Sequence, residues 1–350
     1  MQDLWQYLKE TEKPIFLYGT GNGADKILDE LSRLDIQVEG VFASDGFVRN
    51  RIFRGFEVKS YSAVKEKYEN IIVLVSFGTS LANVIENIKK IAATDELYAP
   101  DVPVIPDGTI FNLEYAKTHR EEIEKAYSYM ADEMSRKTFE STVMYKLTGK
   151  IDYLFDCEMP QSEIFDKLEL KGIETFIDLG AYNGDTTLEF AEINENYKKI
   201  IAVEPDRKNF RKLGANTENL VNVNLVNAAV GKENDKTLFK MSGGRNSAIA
   251  PVGTEIDMVC VDSFEAPRST YIKFDVEGGE ENAISGAAKT IKKGVQAMNI
   301  AAYHKNSDIF LIPILVKTIN PDYNVFMRHH RYIPAWDTNF YFLEKGDKNE

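Results

Sequence analysis

Apolar runs of four or five residues recur along the chain, alternating with stretches whose apolar positions fall at helical spacing. Pro14-Ile15-Phe16-Leu17-Tyr18 reads as a buried strand and Gly19-Thr20-Gly21-Asn22-Gly23 as its turn. Ala24 to Leu34 then reads as an amphipathic helix with Ile27, Leu28, Leu31 and Leu34 on one face. The alternation continues through a strand at Val38 to Phe42, a helix near Ser62 to Tyr68, a strand at Ile71 to Val75, a helix at Leu81 to Ile91 and a strand at Val102 to Ile105. This order predicts a small parallel α/β domain over residues 1–106.

Residues 107–171 read as a mainly helical connector. Ile123, Tyr127, Met130 and Met134 recur at helical spacing, Gly149 stops the helix, and a following short helix is placed to cover a cleft. From residue 172 to 350 the strand pattern resumes at Phe176 to Leu179, Ile200 to Val203, Asn224 to Ala228, Tyr271 to Phe274 and Met298 to Ala302. A helix at Ser307 to Ile319 precedes two β segments, Tyr323 to Met327 and Asn339 to Leu343, with no helix between them. Five strands with helical crossovers and a closing β pair describe a different sheet from that of a dinucleotide dehydrogenase, which would keep alternating.

Composition narrows the partners. With 43% apolar and 28% charged residues the chain reads as globular, and its formal charge of -13 argues against nucleic acid, whose binders display basic faces. The first residues lack a basic start followed by an apolar stretch, and the run Ile71 to Val75 is too short to span a bilayer, so a cytoplasmic protein is expected. Cys157 and Cys260 are too few for a metal site of their own.

The most informative segment is Phe-Ile-Asp-Leu-Gly-Ala-Tyr-Asn-Gly-Asp at 176–185, a strand entering a glycine-bearing turn and a helix. Gly180 and Gly184 permit close backbone approach to a ligand, and Asp178 can accept hydrogen bonds over the turn. Glu204 closes the next strand 24 residues after Gly180, the position from which a doubly wound sheet hydrogen-bonds ribose hydroxyls. That geometry serves NAD as well as S-adenosylmethionine. Here, however, the second glycine of the phosphate-binding signature is absent and Asp185 opens the helix, a carboxylate that repels pyrophosphate and suits a sulfonium.

With these stretches in view, the sequence resembles the FkbM family of S-adenosylmethionine-dependent methyltransferases. The resemblance is carried by 176–185, Val-Glu-Pro-Asp at 203, Val-Asn-Ala-Ala-Val-Gly at 226, Ile-Lys-Phe-Asp-Val-Glu-Gly-Gly-Glu at 272 and Ala-Tyr-His-Lys at 302. It implies a C-terminal Rossmann-like class I methyltransferase sheet with a closing antiparallel β pair, preceded by a smaller N-terminal Rossmann-like α/β domain. It also implies O-methylation of a carbohydrate or natural-product hydroxyl. By the same resemblance Asp178, Gly180, Ala181 and Gly184 would line the methionine half of the cofactor, Glu204 would hold the ribose, and Asn227 and Ala228 would meet the adenine edge.

Alternation along Lys273-Phe274-Asp275-Val276-Glu277 puts Lys273, Asp275 and Glu277 on one face at the mouth of the sheet. Methyl transfer to a hydroxyl requires removal of a proton, which Asp275 can accept, with His304 after the fifth strand as assisting or alternative base. Asp275, Glu277 and His304 could instead hold a divalent cation; base catalysis without metal is ranked first. The loop Met241 to Ser247 and the cluster Arg328-His329-His330-Arg331 are further candidates to face an acceptor.

A competing reading is a nucleotide or nucleotide-sugar binding protein without methyl transfer, using the turn at Gly19, Asp45 and the arginines Arg49, Arg51 and Arg54. The partner expected on the leading reading is a small-molecule or glycan acceptor, and a homo-oligomer stays open.

Overall fold

The computed structural model describes residues 2–48, 51–105, 109–240, 248–249 and 253–344. The chain divides into two compact units. The first comprises Met1–Arg120, Lys137–Glu158 and His329–Asp337, and the second Glu121–Arg136, Met159–Arg328 and Thr338–Glu350. This division differs from the sequential one at residues 106 and 171. The connector is shared between the units, and a late segment returns to the first, where Ile333 bridges Thr79 and is buried in the core.

The first unit is built on a six-stranded sheet. Its strands are β1 (Ile15–Tyr18), β2 (Gly40–Ala43), β3 (Ile52–Phe53), β4 (Phe56–Ser60), β5 (Ile72–Val75) and β6 (Glu96–Tyr98), in the order β3-β4-β2-β1-β5-β6. All neighbours are parallel except β3 with β4. Successive residues feed opposite faces. Phe16, Tyr18, Val73 and Val75 pack with Ile85 and Ile88 of helix Ala82–Ala92, whereas Ile15, Leu17, Ile72 and Leu74 pack with Ile27, Leu28 and Leu31 of helix Asn22–Arg33. The run Val102 to Ile105 is not a strand. Pro103 lies within it and lacks the N–H that a ladder needs, and Glu96–Tyr98 takes the edge instead.

The second unit carries β7 (Thr175–Leu179), β8 (Lys199–Val203), β9 (Val223–Val226), β10 (Ala229–Val230), β11 (Asp235–Lys240), β12 (Ala248–Ile249), β13 (Thr254–Val259), β14 (Thr270–Phe274), β15 (Ala297–Ala301), β16 (Asn324–His329) and β17 (Thr338–Leu343). Seven of these form the main sheet, ordered β16-β17-β15-β14-β7-β8-β9, with β17 antiparallel to β15. The strand order reverses between β7 and β14, the switch point at whose carboxyl end α/β sheets bind ligands. A second sheet, β10-β13-β11-β12, lies between β9 and β14 in sequence, where the apolar pattern predicts no strand. In β13 only Ile256 is buried, so the apolar signal there is weak.

Helix Gln161–Leu168 does not lie across the mouth of the sheet. Ile164 and Leu168 are buried with Phe176, Ile200, Tyr271 and Ala297, all from the first two positions of their strands. Among the described residues, no helix is long and apolar enough to cross a membrane.

Candidate active site

β7 is buried throughout and delivers Asp178 and Leu179 to the turn at Gly180. Gly180 has φ +82°, and a Cβ there would stand 1.9 Å from the carbonyl oxygen of Asp275. Glycine is therefore required by the packing of two strand ends, a closer constraint than the ligand approach expected from sequence. Gly184, at φ +88°, is pressed against Leu213 and Thr217 and precedes helix Asp185–Ile193. Ala181 is fully buried among Ala202 and Leu213.

Asp178 lies beneath the turn and is fully buried. Its Oδ2 accepts hydrogen bonds from the hydroxyls of Thr186 and Thr187, each at 2.7 Å, fixing the start of the helix. Its Oδ1 has no hydrogen bond and faces Lys273 Nζ at 3.7 Å.

Glu204 follows β8 and is 6% exposed. The backbone N–H groups of Tyr182 and Asp206 donate to its two oxygens at 2.9 Å each. Burial raises its pKa to about 7, against the pull of those donors. Asn227 Nδ2 donates to the backbone oxygens of Glu204 and Pro205, at 2.8 and 3.1 Å, and Ala228 is buried beside it. The end of β9 thereby braces the end of β8.

Across the switch point, β14 pairs with β7 so that Lys273 stands opposite Asp178. Lys273 Nζ is 3.4 Å from Asp275 Oδ2, and Tyr303 donates its hydroxyl to Asp275 Oδ1 at 3.2 Å. Burial opposes the ionised form of Asp275, but the charges of Lys273 and His304 outweigh it and hold the carboxyl below its usual range. The strand ends at Phe274 and the Asp275 N–H adds one more bond to Leu179 O at 3.0 Å, so the alternation reaches Asp275 but not Glu277. Glu277 arrives through a turn, at φ +51°.

His304 gathers the acids. It is 1% exposed; Nε2 lies 3.5 Å from both Asp275 Oδ1 and Glu277 Oε2, and Nδ1 lies 3.0 Å from Glu280 Oε1. Burial would lower its pKa, yet Glu280, Asp275 and Glu277 together raise it to about 10. Sequence reasoning missed Glu280 and Asp308. Glu280 also accepts the Val276 N–H at 3.0 Å, and the buried Asp308, raised to about 7 by burial and by Glu280, accepts the Lys305 N–H at 2.7 Å. The signal available was spacing alone: Glu280 follows Glu277 by three residues and Asp308 follows His304 by four.

The sequence of residues 178–334 matches the family model of the methyltransferase FkbM domain. That segment is an FkbM methyltransferase domain. No curated protein matches this chain. Among solved structures, the methyltransferase FkbM of Methylobacillus flagellatus KT superposes with a TM-score of 0.73 at 18% identity, covering 94% of this chain and 90% of that one. It shares the fold over nearly the full length. Partial likenesses are found to a precorrin-6y C5,15-methyltransferase of Geobacter metallireducens GS-15 (TM-score 0.35, 15% identity, 53% of this chain and 87% of that one). Fibrillarin of Aeropyrum pernix, solved with natively bound S-adenosyl-L-methionine, gives 0.32 at 12% identity, over 50% of this chain and 68% of that one.

The remaining candidates hold other partners. Arg328 is buried and forms a two-pronged pair with Asp132, at 2.8 and 3.2 Å, while Arg331 pairs with Glu158 at 2.7 Å. In the first unit Asp45 accepts the Ser62 N–H, Arg51 donates to Thr20, and Arg54 pairs with Asp29, so these groups already hold protein partners. Arg49 and the loop 241–247 lie outside the described residues.

Proposed function

We propose that the FkbM domain transfers the methyl group of S-adenosylmethionine to a hydroxyl oxygen of a carbohydrate or natural-product acceptor. The close approach of Gly180 to the backbone of Asp275 carries this reading, because it brings the residue that bears the candidate base to the turn expected to hold the cofactor. The residues present suit the cofactor. Each oxygen of Glu204 accepts one backbone N–H, and a carboxylate offers about four acceptor sites, leaving room for both hydroxyls of a ribose.

When bound, the cofactor supplies an electrophilic methyl carbon on cationic sulfur; the new O–C bond forms as the C–S bond breaks, with S-adenosylhomocysteine as the thioether product. The chain's own residues manage the proton. Asp275 and Glu277 are the partly exposed members of the cluster, at 29% and 26%, so the acceptor's hydroxyl can reach them and lose its proton there. Lys273 and Tyr303 orient Asp275. A positioned base of this kind contributes roughly a hundred- to ten-thousandfold to turnover.

The test is transfer of a radiolabelled methyl group to a panel of sugars and hydroxylated natural products by wild type and Asp275→Asn. The expected result is O-methylated product from the wild type and, in the variant, retained cofactor affinity with turnover reduced by about a hundredfold or more. Equal turnover in both proteins would remove Asp275 from the chemistry.

A further inference from the structure

The acid cluster around His304 contains an unresolved polar contact. His304 and Glu280 are each 1% exposed, and their Nδ1 and Oε1 atoms stand 3.0 Å apart. Even so, Oε2 of the same glutamate has no hydrogen bond. A buried carboxylate oxygen left so is costly, and an ion is one standard resolution. A 3.0 Å separation is also about the edge between adjacent ligands of an octahedral ion bound at roughly 2.1 Å.

Ligand atoms of Asp275, Glu280 and His304 all lie within 4.8 Å of one another. Glu277 adds a third carboxylate, 3.5 Å from the same ring. The neighbouring ammonium of Lys273 is already shared between Asp275 and Asp178. Two carboxylates and one imidazole, with Asp275 partly open to solvent, form a hard, oxygen-rich set that leaves coordination positions for other oxygens.

We propose that Asp275, Glu280 and His304 bind one divalent cation of the magnesium or manganese class, which takes the acceptor's oxygen as a further ligand. The cation's role rests on the methyl-transfer reading, whereas the site rests on the geometry alone. Coordination makes the hydroxyl more acidic, Asp275 acts as ligand, and the proton passes to the carboxylate at the rim, Glu277. An acceptor able to present two adjacent oxygens, as a vicinal diol does, suits such an ion.

The experiment uses the full chain after dialysis against a chelator, titrated with Mn2+ and followed by electron paramagnetic resonance, with cofactor affinity measured in parallel by calorimetry. The expected result is one bound Mn2+ per chain, weakened about tenfold or more in Glu280→Gln, which keeps the side chain's size, and likewise in the partly exposed Asp275→Asn, which guards against a folding defect in the first variant. Methyl transfer by the chelated protein should recover on addition of Mg2+ or Mn2+. A spectrum of free Mn2+ throughout the wild-type titration overturns the site, as does unchanged binding in both folded variants. Mn2+ binding without cofactor binding leaves the site standing and sinks the methyl-transfer reading; cofactor binding without Mn2+ binding does the reverse.

Discussion

Lys273 and Asp178 face each other across two adjacent parallel strands, with Nζ and Oδ1 3.7 Å apart and the aspartate fully buried. The lysine is also the 3.4 Å partner of Asp275. One ammonium therefore ties the carboxylate under the turn at Gly180 to the carboxylate beside it. Replacing it with Met leaves Asp178 buried without a charge partner, which costs about 3 to 5 kcal/mol when one half of a buried pair is removed. Urea unfolding should show that loss, and adding Asp178→Asn to Lys273→Met should restore part of it. Equal stability of wild type and Lys273→Met would mean that the pair contributes nothing.

Gly180→Ala tests the contact between strand ends. The added Cβ meets a backbone oxygen at 1.9 Å and the residue must hold φ +82°, so both sterics and backbone conformation oppose it. A fall in melting temperature is expected together with loss of cofactor binding, read by thermal unfolding and calorimetry. Gly21→Ala in the first unit, where a Cβ meets nothing within 4 Å, is the control expected to leave cofactor binding intact.

Glu204 makes the ligand-free protein sensitive to pH. Its pKa is raised from 4.5 to about 7, so the native state keeps the proton that the unfolded state has released. Stability is highest below about pH 4.5 from this group, falls as pH rises to about 7, and is level above that. The shift corresponds to roughly 3 kcal/mol at most. Glu204→Gln should flatten unfolding free energy across this window while weakening cofactor binding by about ten- to a hundredfold. An unchanged slope in the variant would assign the pH dependence elsewhere.

His329 predicts the opposite slope. Burial first, then the charge of His330, lowers its pKa from 6.5 to about 3. The unfolded chain takes up a proton below pH 6.5 that the native ring refuses, so this group's contribution is complete above 6.5 and lost progressively down to about 3. Acid titration of a folded His329→Gln protein, followed by circular dichroism, should show a shallower loss over that range than wild type.

The parallel strands were legible because burial on both faces turns them into continuous apolar runs, as in Ile72–Val75 and at residues 200–203. Asp178 and Glu204 were legible because they end such runs at a glycine turn and its neighbour. Glu280 was not. Its sequence context, Gly-Gly-Glu-Glu-Asn, is that of any acidic helix start, and only the return of β15 and the chain beyond it brings His304 against it. The hairpin of β3 and β4 was missed for another reason: Ile52 and Glu57 are exposed, so no face of it is marked by hydrophobicity. Arg328, expected to face an acceptor, is buried instead, since the partner that permits its burial, Asp132, is remote in sequence.

The return of residues 329–337 to the first unit bears on the order of synthesis. Ile333 and Ala335 are buried in the same core as Phe16, Val73 and Ile88. Domains generally fold as they leave the ribosome, the amino-terminal one first. Here the core of the first unit waits for residues 329–337, and the sheet of the second unit receives the strand Thr338–Leu343 directly afterwards. Neither unit can be released by a single cut in the chain, and both reach completion within the same few residues of translation.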